Sequence, residues 1–198
     1  MKIVGVGCGP GMLTEDAIDA ISHAGILYGS PRAIELARAH ISDGSVINII
    51  DDYKSLHALP GDAVVLSTGD PMLAGLGYLN GEVIPGISSL QVTLARLHLP
   101  MSRVSIVVAH GRDHPAAARD ALAEVARGKA VFLIADPSFD VGVFAAHFLG
   151  VTPGISLTLC ERLGYPDERV VTGTAETPPE PLHDLFVLLV DPGIRRKP

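Results

Sequence analysis

The sequence predicts an α/β protein of two small domains, and three observations predict it. Apolar runs of strand length recur through all 198 residues. Most of them lead through a turn into a helical pattern, and the whole theme restarts after Leu99-Pro100. Alternation of strand and helix implies a parallel sheet with helices on its faces. The length is near the lower limit for two domains with a core each. The boundary belongs near residues 99–103, giving domains 1–101 and 102–198.

Residues 2–8 form an apolar run ending in alternating glycines, and Thr14-Glu15-Asp16 then opens a helix through Ile18 and Ile21. Thr14 suits the N-cap, and acidic residues suit the positive first turn. Ile26 to Tyr28 is a short strand, Ser30-Pro31 caps a helix to about His40, and Val46 to Ile50 is another strand. Ala63 to Ser67 is the next buried strand, reached across residues 51–62. That segment is short for a crossover, which normally takes about a dozen residues or more, so any helix within it must be very short. Glu82 to Ile84 is a further strand, and residues 87–98 read as a helix with Leu90, Leu94 and Leu97 on one face. The second set consists of strands at Val104 to Val108, Ala130 to Ile134, Ser156 to Leu159, Arg169 to Val171 and Leu185 to Val190. Helices are expected over about 115–127 and 138–148.

Composition narrows the function classes. With 47% hydrophobic and 19% charged residues and a mean hydropathy of +0.35, the chain is too apolar for disorder. The longest apolar runs, such as Leu185 to Val190, are too short to span a bilayer. Gly5, Gly7, Gly9 and Pro10 interrupt the N-terminal run before a signal-peptide core could form, so a cytoplasmic protein with no membrane partner is expected. Fifteen Lys+Arg against 22 Asp+Glu give a formal charge of −7, which argues against a nucleic-acid partner. Cys8 and Cys160 form neither a disulfide framework nor a metal cluster, and His98, His114 and His147 have no metal-ligand spacing, so no protein-bound metal is expected.

Three loops follow strands of the first domain. Gly5-Val6-Gly7-Cys8-Gly9-Pro10-Gly11 invites a dinucleotide reading and fails it, because the required third glycine falls on Pro10 or on Met12. Ser67-Thr68-Gly69-Asp70-Pro71-Met72-Leu73-Ala74-Gly75 puts a carboxylate on a strand-end turn among small residues, fit to meet a positive or hydroxyl-rich group. An Asx turn satisfying only its own backbone is the plainer alternative. Val83-Ile84-Pro85-Gly86-Ile87-Ser88-Ser89-Leu90-Gln91 brings serine hydroxyls and unpaired N–H groups to the same sheet edge, or merely caps a helix.

Taken in order with His110-Gly111-Arg112, these loops resemble the tetrapyrrole (corrin/porphyrin) methylases. Within that family the chain is most similar to the precorrin C5-methyltransferases of cobalamin biosynthesis. Leu159-Cys160-Glu161-Arg162-Leu163-Gly164 and Asp184 to Val190 extend the resemblance into the second domain. It implies two α/β domains, mainly parallel in the first and mixed in the second, in a homodimer. It also implies S-adenosylmethionine folded in a cleft between domains and the precorrin macrocycle in a trough of the first. Carried over by motif, the cofactor residues are Cys8 (backbone), Asp70, Leu73, Ser88, Ser89, Ala135 and Leu163. Two segments depart from the family pattern, the short crossover at 51–62 and Gly77 to Gly81 in place of a longer helix with a basic residue.

A sulfonium methyl is already electrophilic, so the protein's task is chiefly to align it with an electron-rich carbon, and no nucleophilic side chain is needed. His110, at the end of an apolar strand, is the candidate for proton handling. Arg112 is the candidate to bind the carboxylates of the macrocycle. The resemblance further implies one methyl transferred at C5, with a separate partner protein for C15 methylation and decarboxylation. The alternatives are methylation at another ring position, or a non-catalytic nucleotide-binding module.

Overall fold

A computed structural model describes residues 1–111, 113–151 and 154–193. The fold class is the one the sequence predicts, with two five-stranded sheets in separate compact units. Met1–Val92 forms the first unit and the chain from Thr93 onward the second.

The first unit contains β1 (Lys2–Gly5), α1 (Glu15–Ser22), β2 (Ile26–Gly29), α2 (Pro31–Ala37), β3 (Val46–Ile49), β4 (Val64–Ser67) and β5 (Glu82–Ile84). Its sheet is entirely parallel, in the order β3-β2-β4-β1-β5. Helix starts follow local chemistry. Thr14 Oγ1 accepts from the Ala17 N–H at 3.2 Å, and Ser30 Oγ accepts from the Ala33 N–H at 3.2 Å with Pro31 in the first turn. The α-helix from Ser30 ends at Ala37 and tightens into a 3-10 turn over Arg38–His40.

Alternation along the strands divides the apolar residues between two faces. Val4, Leu27, Val64, Leu66 and Ile84 pack with Ala17, Ile21, Ala33 and Ile34 of α1 and α2. Ile3 and Val65 point the other way, onto Ile50, Leu56, Leu76 and Leu79. Leu56 lies on a 3-10 helix, Tyr53–Ala58, which solves the short crossover. A four-residue strand is about 13 Å long at roughly 3.3 Å per residue. Six residues of 3-10 helix return about 12 Å, at roughly 2.0 Å each, where six α-helical residues return only about 9 Å.

The chain then enters α3 (Ser89–Arg96), within which the division into units falls. The second unit continues with β6 (Val104–Val108), α4 (His114–Ala126), β7 (Ala130–Ile134), α5 (Val141–Ala146), β8 (Ser156–Glu161), β9 (Arg169–Thr174) and β10 (Phe186–Asp191). The strand order is β6-β7-β10-β8-β9; β6 and β7 are parallel and the other pairs antiparallel, so the sheet is mixed as expected. Asp113 and Asp140 cap α4 and α5, accepting from the Ala116 and Val143 N–H groups at 3.3 and 2.8 Å. One sheet face, with Val131, Leu133, Leu157, Leu159 and Leu188, packs against small residues of α4 and a row of Phe139, Phe144 and Phe148.

Among the described residues Glu161 is the fully buried charge of this unit. Burial alone would raise its carboxyl. Arg169, paired with Oε2, and the His183 and Leu182 N–H groups, 2.9 and 2.6 Å from Oε1, instead hold it below the usual carboxylate range. One side chain thereby satisfies the backbone of the segment leading into β10. The Cys160 thiol, also buried, is pushed up to about 11 by its burial and stays protonated.

Candidate functional site

Because β4, β1 and β5 are parallel neighbours, their carboxyl ends lie side by side, and the three glycine-rich loops leave the sheet at adjacent positions. This is where open α/β sheets place ligands. The loops are tied by backbone bonds. Gly7 and Gly69 exchange N–H and carbonyl groups, at 2.8 and 3.3 Å, and the Cys8 N–H donates to the Ile87 carbonyl at 3.0 Å.

Glycine makes this approach possible. A Cβ built on Gly86 would sit 2.2 Å from the Gly69 carbonyl oxygen and 2.8 Å from the Gly5 carbonyl carbon. One on Gly5 would lie 2.5 Å from the Gly86 nitrogen. The glycines of β1 and of the other two loops therefore serve mutual contact of three backbones. Gly69 is also held at a φ of 71°.

Asp70 lies at the centre of the knot. Its Oδ1 accepts from the Met72 and Leu73 N–H groups at 2.8 and 3.3 Å, and its Oδ2 accepts from the Gly86 N–H at 3.1 Å. The Asx turn that the sequence left open is formed, and a bond to the neighbouring loop is added to it. Ser88 is buried and forms a capping box with Gln91. Its N–H and hydroxyl both donate to Gln91 Oε1 at 2.7 Å, and the Gln91 N–H donates to Ser88 Oγ at 3.2 Å. Ser89 and Leu73 are half-buried on the same two loops, and Cys8 is buried with its sulfur 3.6 Å from that of Met12. Five of the candidate cofactor residues, Cys8, Asp70, Leu73, Ser88 and Ser89, thus belong to one loop cluster.

In the second unit β6 and β7 are parallel, and β8 runs with them because β10 opposes both. Ala109-His110, Ala135 and Leu163 therefore leave the same edge of that sheet. Ala135 is half-buried against the core, Leu163 is buried, and His110 is exposed, its N–H donating to the Ile134 carbonyl at 3.1 Å. Arg112 lies outside the described residues.

A neighbouring network escaped the sequence reading. Asp136, just after Ala135, accepts from the Ser138 hydroxyl, from His114 Nε2 at 3.1 Å, from the Gly111 N–H at 3.1 Å and from the Ser138 N–H at 2.9 Å. Those bonds, the Ser138 hydroxyl foremost, hold its carboxyl far below the usual range. The local signal is Asp136-Pro137-Ser138, an Asx turn at a strand end. His114 stands 22 positions away and carries no such signal.

The arrangement is rich in peptide groups, small side chains and hydroxyls and poor in nucleophiles. It can hold and orient a polar ligand. Comparison with known proteins agrees. The model of the Tetrapyrrole (Corrin/Porphyrin) Methylases matches residues 2–179. A Methanocaldococcus jannaschii protein named Probable cobalt-precorrin-7 C(5)-methyltransferase is 30% identical, over 83% of this chain and 85% of its own. The crystal structure of a cobalamin-biosynthesis precorrin-6Y methylase from Archaeoglobus fulgidus superposes with a TM-score of 0.75, at 30% identity, covering 96% of this chain and 97% of that one. A uroporphyrin-III C-methyltransferase from Thermus thermophilus, solved with S-adenosylhomocysteine, shares the fold with a TM-score of 0.68 at 20% identity, covering 96% of each chain. The chain belongs to the tetrapyrrole (corrin/porphyrin) methylases.

Proposed function

We propose that this methylase transfers a methyl group from S-adenosylmethionine to carbon C5 of a cobalt-precorrin in cobalamin biosynthesis. The observation that carries the reading is the knot of three glycine loops at the carboxyl ends of β4, β1 and β5, in a chain 30% identical to a protein named for that reaction. The loops fit the cofactor. Gly11, at a positive φ, has open space where a Cβ would stand, so bare backbone meets whatever docks there.

When bound, S-adenosylmethionine supplies an electrophilic methyl group on sulfur. Domain 1–101 supplies the loops that carry Cys8, Asp70, Leu73, Ser88 and Ser89 to the cofactor site and holds the macrocycle. Domain 102–198 supplies Ala135 and Leu163. Orientation by rigid loops contributes several kcal/mol, on the order of 7–11 at most, toward the in-line displacement. The C–S electron pair stays with sulfur while the new carbon–carbon bond forms. His110, exposed at the end of β6, takes the proton that the methylated ring gives up.

The substrate carries several carboxylates and the chain a formal charge of −7, so binding requires a local cation, for which we propose Arg112. Arg112→Ala should raise KM for the macrocycle by about ten- to a hundredfold, the worth of a charge-assisted hydrogen bond, and leave KM for the cofactor nearly unchanged. Equal effects on both would move Arg112 to the cofactor.

The enzyme acts as a cytoplasmic homodimer and hands its product to a separate protein for C15. The edge strand β3 supports the dimer, because Val46, Ile47 and Ile49 are 56, 41 and 55% exposed on a strand with one free edge. Among the described residues no helix is long and apolar enough to cross a membrane. The cofactor reading is tested by thermal shift. S-adenosylhomocysteine should raise the melting temperature while NAD and ATP leave it unchanged; stabilisation by NAD or ATP alone would overturn the reading.

A further inference from the structure

We infer that the Asp70 carboxylate serves the cofactor site as a positioning group, a clasp between two loops. The inference rests on the reading of these loops as the S-adenosylmethionine site. It departs from the role that the motif suggests for this carboxylate.

A carboxylate offers about four lone-pair directions. Three of those of Asp70 are taken by backbone donors: Met72 and Leu73 on Oδ1, and Gly86 on Oδ2. The first two bonds shape the turn that follows β4. The third reaches 16 positions along the chain to the loop after β5. Gly86 is the residue whose backbone is wedged against Gly5 and Gly69, so Asp70 fixes a peptide whose position has little latitude.

What hangs on that peptide is the rest of the site. Ile87 follows it and receives the Cys8 N–H at 3.0 Å, which ties down the first glycine loop. Ser88 comes next and opens α3 through its bonds to Gln91. Leu73 is bonded to Asp70 directly at 3.3 Å. Cys8, Leu73, Ser88 and Ser89 are thus each placed by a backbone group that Asp70 holds or by its near neighbour.

Asp70→Asn separates this role from direct contact. Asn retains an oxygen for Met72 and Leu73 but turns an amide donor toward the Gly86 N–H, so only the bond between loops is lost. Two measurements are made on the whole chain: calorimetric titration with S-adenosylhomocysteine, and amide hydrogen exchange with no ligand present. The expected result is affinity weakened by about ten-fold or more, together with faster exchange over residues 86–89 and 6–9 in the unliganded variant. KM for S-adenosylmethionine should rise while KM for the macrocycle holds.

Weakened affinity with unchanged exchange would overturn the clasp and place the carboxylate on the cofactor. Faster exchange with unchanged affinity would overturn its service to the site, and so would a variant identical to wild type in both. Wild-type protein that takes no S-adenosylhomocysteine would remove the cofactor reading first and the inference with it. Should the variant not fold, wild-type exchange decides alone: protection of the Gly86 amide supports the clasp, and exchange at the rate of an unstructured peptide overturns it.

Discussion

Single carboxylates organise much of this molecule, and each does so by accepting backbone N–H groups. Asp70, Asp136 and Glu161 each hold a loop at the end of a strand, and the helix caps Thr14, Ser30, Asp113 and Asp140 do the same on a smaller scale. Asp136 yields a prediction with a definite sign. Its carboxyl titrates lower in the folded chain than the unfolded value of about 3.9. The folded state therefore binds fewer protons, and the stabilisation is complete above about pH 4 and is lost as pH falls through the folded value. In urea denaturation Asp136→Asn should be less stable than wild type at neutral pH, with the gap narrowing in strong acid. A gap independent of pH would contradict the assignment. The caps Thr14 and Ser30 were legible in the sequence because each lies three residues from its donor; Asp113 and Asp140 have the same spacing and were not read. The partners of Asp136 were not legible, because His114 and Gly111 come from a different turn, 22 and 25 positions away.

Among elements, the strands and helices were readable from periodicity, with ends differing by a few residues. The 3-10 helix Tyr53–Ala58 was legible only as a shortage of residues, because length excludes an α-helical crossover without specifying what replaces it. The glycines divide into two kinds that sequence cannot separate. Gly86 is hemmed in by backbone, with a would-be Cβ 2.2 Å from the Gly69 oxygen, whereas Gly75 has open space at a φ of 85°. Gly86→Ala should therefore cost about 1–3 kcal/mol or more from overpacking, since a backbone carbonyl cannot rotate aside. It should also impair cofactor binding. Gly75→Ala should cost only the left-handed penalty of about 1–2 kcal/mol and leave binding intact. Chemical denaturation and titration of both variants check this; equal losses at the two positions would contradict it.

At the scale of the whole molecule, the order of the strands turns three separate loops into one site. Motif order along the chain pointed to the family, but nothing local says that β1 lies between β4 and β5, so the mutual contact of Gly5, Gly69 and Gly86 emerges only from the fold. The second sheet likewise gathers His110, Ala135 and Leu163 on one edge through a long-range pairing of β10 with both β7 and β8. The most direct test is mass spectrometry of the product formed by the purified protein from S-adenosylmethionine and a defined cobalt-precorrin substrate. The expected product gains one methyl group, located at C5, with every carboxylate retained. A gain of two methyl groups, a loss of carbon dioxide, or a methyl group on another ring carbon would contradict this reading.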